Sequence, residues 1–282
     1  MKNKFVLLII LFSILVNFAC VNKKSFSNIK LSENWTFRNV NTENWYPAQV
    51  PGHIHTDLLK NDLISDPFLG MNELELQWIE NEDWEYLAQF NINPDFLNHD
   101  KIEITFEGLD TYADIFLNES LIHRSDNMFI PWVVSVKPFL KEGKNILKVY
   151  FHSPVKKGQN SLEVHPHLIP ASNEAKPIGH QTSVFTRKAQ YHFGWDWGPR
   201  LVTSGIWKPI TLNGWNIAKI KDVYYHLDSL SLSSANYNIE LSIESINNID
   251  TEITIHLNNK TTSHKVYLKS GMNILKINEK IM

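Results

Sequence analysis

A single cysteine among 282 residues excludes an intramolecular disulfide, a CxxC redox pair and a cysteine-rich zinc site. An excess of either charge is also missing. With 27 basic and 30 acidic residues the formal net charge is −3, which gives no global attraction to nucleic acid or to an anionic membrane surface. A neutral partner fits better. Long stretches of 3.6-residue periodicity are few, and the length suggests about two domains, without room for a ~250-residue α/β barrel beside them. What the chain does have is apolar material: 43% of residues are hydrophobic and 12% aromatic, enough for a sizeable core and too much for a disordered protein.

The N-terminus reads as an address. Lys2 and Lys4 precede an apolar run over residues 5–18, broken only by Ser13 and Asn17, and then come Ala19 and Cys20. The run is shorter than the ~20 residues of a comfortable membrane span and matches a secretory signal, predicted over residues 1–19. Asn17-Phe18-Ala19-Cys20 resembles a bacterial lipobox, although Phe18 departs from the commonest small residue there, and implies cleavage before Cys20 and lipidation of its thiol. Ordinary secretion with an incidental cysteine and an uncleaved anchor are the alternatives. All three place the folded part outside the cytoplasm. The expectation is an exported bacterial lipoprotein on the periplasmic or cell-surface side, held to the membrane by its lipid, with residues 20–28 as a tether.

Beyond the tether the pattern is β. Ile102, Ile104 and Phe106 alternate with polar residues, and Ala113, Ile115 and Leu117 continue the two-residue period up to a turn at Asn118-Glu119-Ser120, predicting a half-buried hairpin. Trp132, Val134 and Val136 alternate again, and residues 146–151 form another strand. The best helical candidate is residues 56–63. After residue 216 aromatics become sparse and five short alternating runs follow, at residues 223–227, 239–243, 253–257, 266–268 and 274–277. Five strands fall short of the seven in ~100 residues of an immunoglobulin-like sandwich, which predicts an incomplete domain; a small complete sandwich is the alternative. The predicted class is all-β: a jelly-roll sandwich over 29–215 and a truncated immunoglobulin-like sandwich over 216–282.

Segments along the chain carry a family resemblance, Trp35 through Pro47, Asn127-Met128-Phe129-Ile130-Pro131 and the Gly143-Lys144-Asn145 turn among them. Pro51-Gly52-His53-Ile54-His55-Thr56-Asp57-Leu58-Leu59, the stretch from Trp78 to Tyr86, Phe106-Glu107-Gly108-Leu109-Asp110-Thr111-Tyr112-Ala113 and above all Arg187-Lys188-Ala189-Gln190-Tyr191-His192-Phe193-Gly194-Trp195-Asp196-Trp197-Gly198-Pro199 resemble, in order, the N-terminal part of β-mannosidases of glycoside hydrolase family 2. The resemblance runs from about residue 29 to 282, strong to Trp215 and architectural beyond. It implies a galactose-binding-like jelly roll, an immunoglobulin-like domain, and an α/β barrel carrying the acid/base and nucleophile glutamates. Retaining glycosidases need two carboxyl groups ~5 Å apart. No position of this chain corresponds to those glutamates, so no catalytic residue is assigned and the chain alone is expected to be inactive. The implied partners are mannosides or manno-oligosaccharides and the missing barrel, in cis or in trans, with no organic cofactor.

The resemblance also implies a role for the Trp-Asp-Trp segment, in which Asp196 accepts hydrogen bonds from sugar hydroxyls. Read from the residues alone, a carboxylate between two indoles is either a sugar site, with Trp195 and Trp197 offering flat apolar faces, or aromatic packing around a turn. Arg187 is a fork donor to Asp196 or to a hydroxyl. A self-sufficient carbohydrate-binding lipoprotein and a gene fragment are the rival readings. His53/His55 and His165/His167 each space two imidazoles for one metal, yet no third ligand is indicated and no metal site is assigned. The acidic residues between Glu73 and Glu85 read as a solvated face interleaved with buried Trp78, Trp84 and Tyr86.

Overall fold

The computed structural model describes residues 25–177, 179–257 and 259–281. The signal segment and Cys20 lie outside the described residues. Two compact units emerge: residues 27–97 with 101–214, and residues 25–26 and 98–100 with 215–281.

In the first unit the strands are β1 (Phe26–Lys30), β2 (Trp35–Asn39), β3 (Tyr46–Pro47), β4 (Trp84–Ile92), β5 (Lys101–Phe106), β6 (Ala113–Leu117), β7 (Ser120–Ser125), β8 (Trp132–Ser135), β9 (Gly143–Phe151) and β10 (Ile210–Trp215). They form two sheets, in the orders β1-β10-β5-β8 and β3-β2-β4-β9-β6-β7. Their inner faces meet in one core, with Ile102, Ile104 and Leu212 from one sheet against Phe37, Tyr86 and Phe151 from the other. The alternation seen in the sequence is what makes this possible, because every second residue of a strand faces the same side. Helix α1 (Ile54–Lys60) is anchored by buried Asp57, which accepts from Gln49 N at 2.9 Å and from the Tyr86 hydroxyl at 2.8 Å. Helices α2 (Asn72–Glu75), α3 (Pro94–Leu97) and α4 (Pro154–Val164) complete the unit.

The structure corrects four expectations. β1 begins at Phe26, so residues 26–28 belong to a sheet and not to a tether. The hairpin is β6–β7 alone, turning at Asn118 and Glu119 with φ of 48° and 71°, whereas β5 lies in the opposite sheet and is buried on both sides. Helix α1 starts and ends earlier than residues 56–63. The acidic stretch is only in part a solvated face: Glu75 is exposed and Trp84 and Tyr86 are buried as expected, but Glu80 and Glu85 are buried in ion pairs to Arg200, and to Arg38 and Lys148, while Trp78 is 42% exposed. A partner cation supplied from distant sequence overrides the polarity of the residue itself.

The second unit holds β11 (Ala218–Leu230), β12 (Ala235–Ser245), β13 (Ile249–Leu257), β14 (Lys260–Leu268) and β15 (Gly271–Ile281). β12 is central between β11 and β15, and β13 pairs with β14. Ile239, Leu241 and Ile243, on one face of β12, pack with Leu268 and Ile277. Among the described residues no helix is long and apolar enough to cross a membrane.

Candidate functional site

Between β5 and β6 the chain crosses from one sheet to the other, and Asp110 sits on that crossing. Its backbone N–H and C=O both bond Gly205, at 2.9 Å each. Gly205 has φ 156°, and a Cβ there would lie 2.7 Å from the Cα of His53, so only glycine lets the two segments approach. The Asp110 carboxylate accepts from Thr203 Oγ1 at 2.5 Å and Thr111 Oγ1 at 2.6 Å, and it pairs with the ammonium of Lys188, which is wholly buried. Lys188 Nζ also donates to the Thr203 carbonyl at 2.9 Å and to Thr203 Oγ1 at 3.0 Å. Burial alone would raise the Asp110 pKa; the Lys188 charge, His192 and the donated hydrogen bonds outweigh it and hold the carboxyl below its usual range.

This pair lies beneath a cavity of about 390 Å³, a size within the range of small-molecule sites. His53, His55, Thr56, Tyr191, His192 and Thr203 bring polar groups to its lining, and the walls are otherwise apolar, with Leu59, Phe68, Trp195 and Trp197 among them. Burial favours the neutral form of each imidazole. Burial lowers the pKa of all three, His55 to about 3 with a further push from His53 and Lys188, and His192 to about 4 with a further push from Lys188. Among the described residues no carboxylate lines the cavity.

The rim is built by the segment after Phe193. Gly194 has φ 99°, and a Cβ there would lie 2.8 Å from the Ala175 side chain. Residues 195–198 then make a tight turn closed by Trp195 N to Gly198 O at 3.3 Å and Gly198 N to Trp195 O at 3.4 Å. Arg200 clamps its base. The guanidinium is bidentate on Glu80, at 2.8 and 3.2 Å, and donates to Glu174 and to the Phe193 carbonyl, both at 3.0 Å. Glu174 in turn accepts from Ser183 N at 2.9 Å. With the turn held this way, Trp195 is 38% and Trp197 82% exposed, which is unusual for indoles in a folded chain.

Of the residues singled out in the sequence, Trp195 and Trp197 line the cavity, and Asp196 stands exposed between them at the tip of the turn, outside the lining. Arg187 is brought elsewhere: its backbone bridges Asn127, its side chain is exposed, and among the described residues it makes no ion pair with Asp196. His53 and His55 reach the cavity as lining; among the described residues no group of three or more candidate ligands is placed to hold a metal ion. His165 Nδ1 contacts the His167 carbonyl at 2.6 Å. Asp110, Lys188, His192 and Thr203 were not singled out. The first three sit inside the motifs quoted above, and the signal was a lysine at 188 next to a residue as apolar as Ala189, which is a costly place for a charge without a partner.

The family described as glycosyl hydrolase 2 galactose-binding domain-like matches residues 35–208, more than half of the chain, and the chain belongs to it. The chain is similar to β-mannosidase B of Thermothelomyces thermophilus, 39% identical over 200 residues, 70% of this chain and 23% of that protein. Against the β-mannosidase of Capra hircus it is 35% identical over 195 residues, 68% of this chain and 22% of that one. The solved β-D-mannosidase of Dictyoglomus thermophilum superposes with a TM-score of 0.84 at 42% identity, over 90% of this chain and 31% of that chain. An exo-chitosanase of Amycolatopsis orientalis shares the fold, with a TM-score of 0.65 at 13% identity. The chain thus resembles the N-terminal part of a β-mannosidase and spans about a quarter of the length of the curated relatives it matches.

Proposed function

We propose that this chain supplies the sugar-contacting N-terminal part of a β-mannosidase, acting on terminal non-reducing β-D-mannosyl residues, with the bond-breaking carboxylates supplied by a catalytic barrel. The observation that carries this reading is the pair of exposed indoles around Asp196 at the mouth of an apolar cavity. An ionised acceptor beside flat apolar faces suits a ring that has hydroxyls on its edge and C–H bonds on its faces. Among the described residues no carboxylate pair lines the cavity, and in this reading the cleaving carboxylates belong to the barrel. The pure 282-residue chain is expected to release no product from a chromogenic β-mannoside; turnover would overturn the division of labour.

A second reading, a carbohydrate-binding lipoprotein sufficient in itself, is favoured by one fact: the cavity is lined wholly by residues between His53 and Thr203. Intact mass from the native host separates the two readings. A heavy species with β-mannosidase activity supports the enzyme, and an inactive species near 30 kDa supports the lectin. For the N-terminal segment we propose export and lipidation at Cys20, on the sequence of residues 1–20; labelled palmitate should be incorporated and be lost in Cys20→Ser.

A further inference from the structure

The apolar groups around the cavity do not stop at its mouth. Phe68, in the lining, is 74% exposed, and the chain beyond it carries Leu69, Met71 and Leu74 into water, each more than half exposed. Tyr191, also in the lining, is mostly exposed as well. Hydrogen bonds hold this course. Phe68 N donates to Asp66 Oδ1 at 2.9 Å, Asn72 Nδ2 to the Asp66 carbonyl at 2.8 Å, and Gln77 Nε2 to the carbonyls of Glu73 and Arg200, both at 2.8 Å. The Arg200 bond ties residues 66–77 to the base of the 195–198 turn. Large apolar side chains are thus kept in water together beside one concavity, whereas exposed hydrophobic residues scattered singly need no explanation. The charges among them have one sign. Asp66, Glu73 and Glu75 pair with no cation among the described residues, and no lysine or arginine occurs between Lys60 and Lys101.

What covers these side chains follows from the chemistry at the cavity mouth. Cleavage of a glycoside beside the 195–198 turn needs two carboxyl groups ~5 Å apart, and among the described residues none lines the cavity. A domain that supplies them has to reach over the mouth, and there it meets the residues around it. The matched relatives have chain enough for such a domain, since this chain covers 23%, 22% and 31% of them. We propose that residues 66–77 and Tyr191 form the docking surface for the domain carrying the cleaving carboxylates, and that this domain brings an apolar face with a basic rim. The surface belongs to the enzyme reading above and stands only with it; Trp195, Asp196 and Trp197 are left to the sugar. Aromatic side chains bury about 150–250 Å² each, so Phe68 and Tyr191 with their aliphatic neighbours supply the apolar centre of an interdomain interface, which buries about 600–1,500 Å².

Hydroxyl-radical and peroxide footprinting, read by peptide mass spectrometry, tests this on two samples: the 282-residue chain and the intact species from the native host. In the chain alone Met71 should oxidise readily while buried Met128 stays intact. In a heavier species with β-mannosidase activity Phe68, Leu69, Met71, Leu74 and Tyr191 should react at least ten-fold more slowly than in the chain alone. Leu69→Lys with Met71→Lys sets like charge against the basic rim and should return Phe68 and Tyr191 of the heavier species to the reactivity of the chain alone. The same pair should leave the unfolding midpoint of the 282-residue chain unmoved, because both side chains lie in water. Protection that survives the two lysines would overturn the docking surface; should the substituted species fail to fold, protection in the unsubstituted one decides alone. A heavy, active species whose patch reacts as fast as in the chain alone would overturn the docking surface and leave the enzyme reading standing. An inactive species near 30 kDa would overturn both.

Discussion

The two units bury polar groups in different kinds of places. In the jelly-roll unit the buried charges lie mostly on segments that are not strands: Asp110 and Lys188 on crossings between sheets, Glu80 on a single 3-10 turn before β4, and Glu174 and Arg200 on the loops around the 195–198 turn. In the smaller unit the main buried charge is on a strand. Glu279 of β15 accepts from Lys260 at 3.1 Å, from His264 at 2.9 Å and from Thr262, all three on β14. The difference teaches where function can be built. Regular strands satisfy their own backbones and repeat, whereas irregular segments keep a fixed, ligand-shaped course only when buried hydrogen bonds and ion pairs hold them. Exposed apolar groups follow the same division. Around the cavity they frame a concavity, while in the small unit Val223, Tyr225 and Leu227 simply run along the edge strand β11.

The sharpest way to break the comparison is Lys188→Met, which leaves the Asp110 carboxylate buried without a cation. Denaturant unfolding should show the jelly-roll unit weakened by about 3–5 kcal/mol and the small unit unmoved. Adding Asp110→Asn should restore much of the loss; no recovery would mean that Lys188 acts through packing alone. Next in size is Leu241→Ala in the core of the small unit, expected to cost about 2–4 kcal/mol there and nothing in the jelly roll. A single cooperative transition that moved as one in both variants would abolish the distinction between the units.

Acid should separate the units by window. The pKa values of His55 and His192, about 3 and about 4 in the fold, lie below their ordinary 6.5. The unfolded chain therefore takes up protons first, and the jelly roll loses stability as pH falls from about 6.5 toward those values. Glu279 is held at about 2 by hydrogen bonds from Thr262 and His264, against an ordinary 4.5. Its contribution is intact above about 4.5 and disappears as pH falls toward 2, so the small unit should stay level while the jelly roll is already weakening. Unfolding midpoints of each unit at pH 7, 5.5 and 4 check the order.

Much of this was legible in the sequence, for physical reasons. Strands such as β9 and β12 declare themselves because one face must be apolar, and the Trp-Asp-Trp turn stands out through the family resemblance, since the residues alone leave a sugar site and aromatic packing both open. The pairing of β5 was not legible, since alternation gives the face of a strand and not its neighbour. Glu80 was misread because burial depends on Arg200, 120 residues away. Arg187 was read as a donor to Asp196 or to a sugar hydroxyl; its backbone bridges Asn127 and its side chain is exposed, which leaves the hydroxyl alternative in place. The cavity's imidazoles come from segments about 140 residues apart, and no local pattern announces that they meet.

The smallest expected effect on stability accompanies the most direct test of the central claim. Trp197 is exposed, so Trp197→Ala should leave the unfolding midpoint within about 0.5 kcal/mol of the unsubstituted chain. Calorimetric titration of both proteins with β-1,4-mannobiose should give saturable binding to the unsubstituted chain and at least ten-fold weaker binding to the variant. A flat titration of the unsubstituted chain, or equal affinity in the two, would contradict the assignment of the 195–198 turn and its cavity as a sugar-binding face.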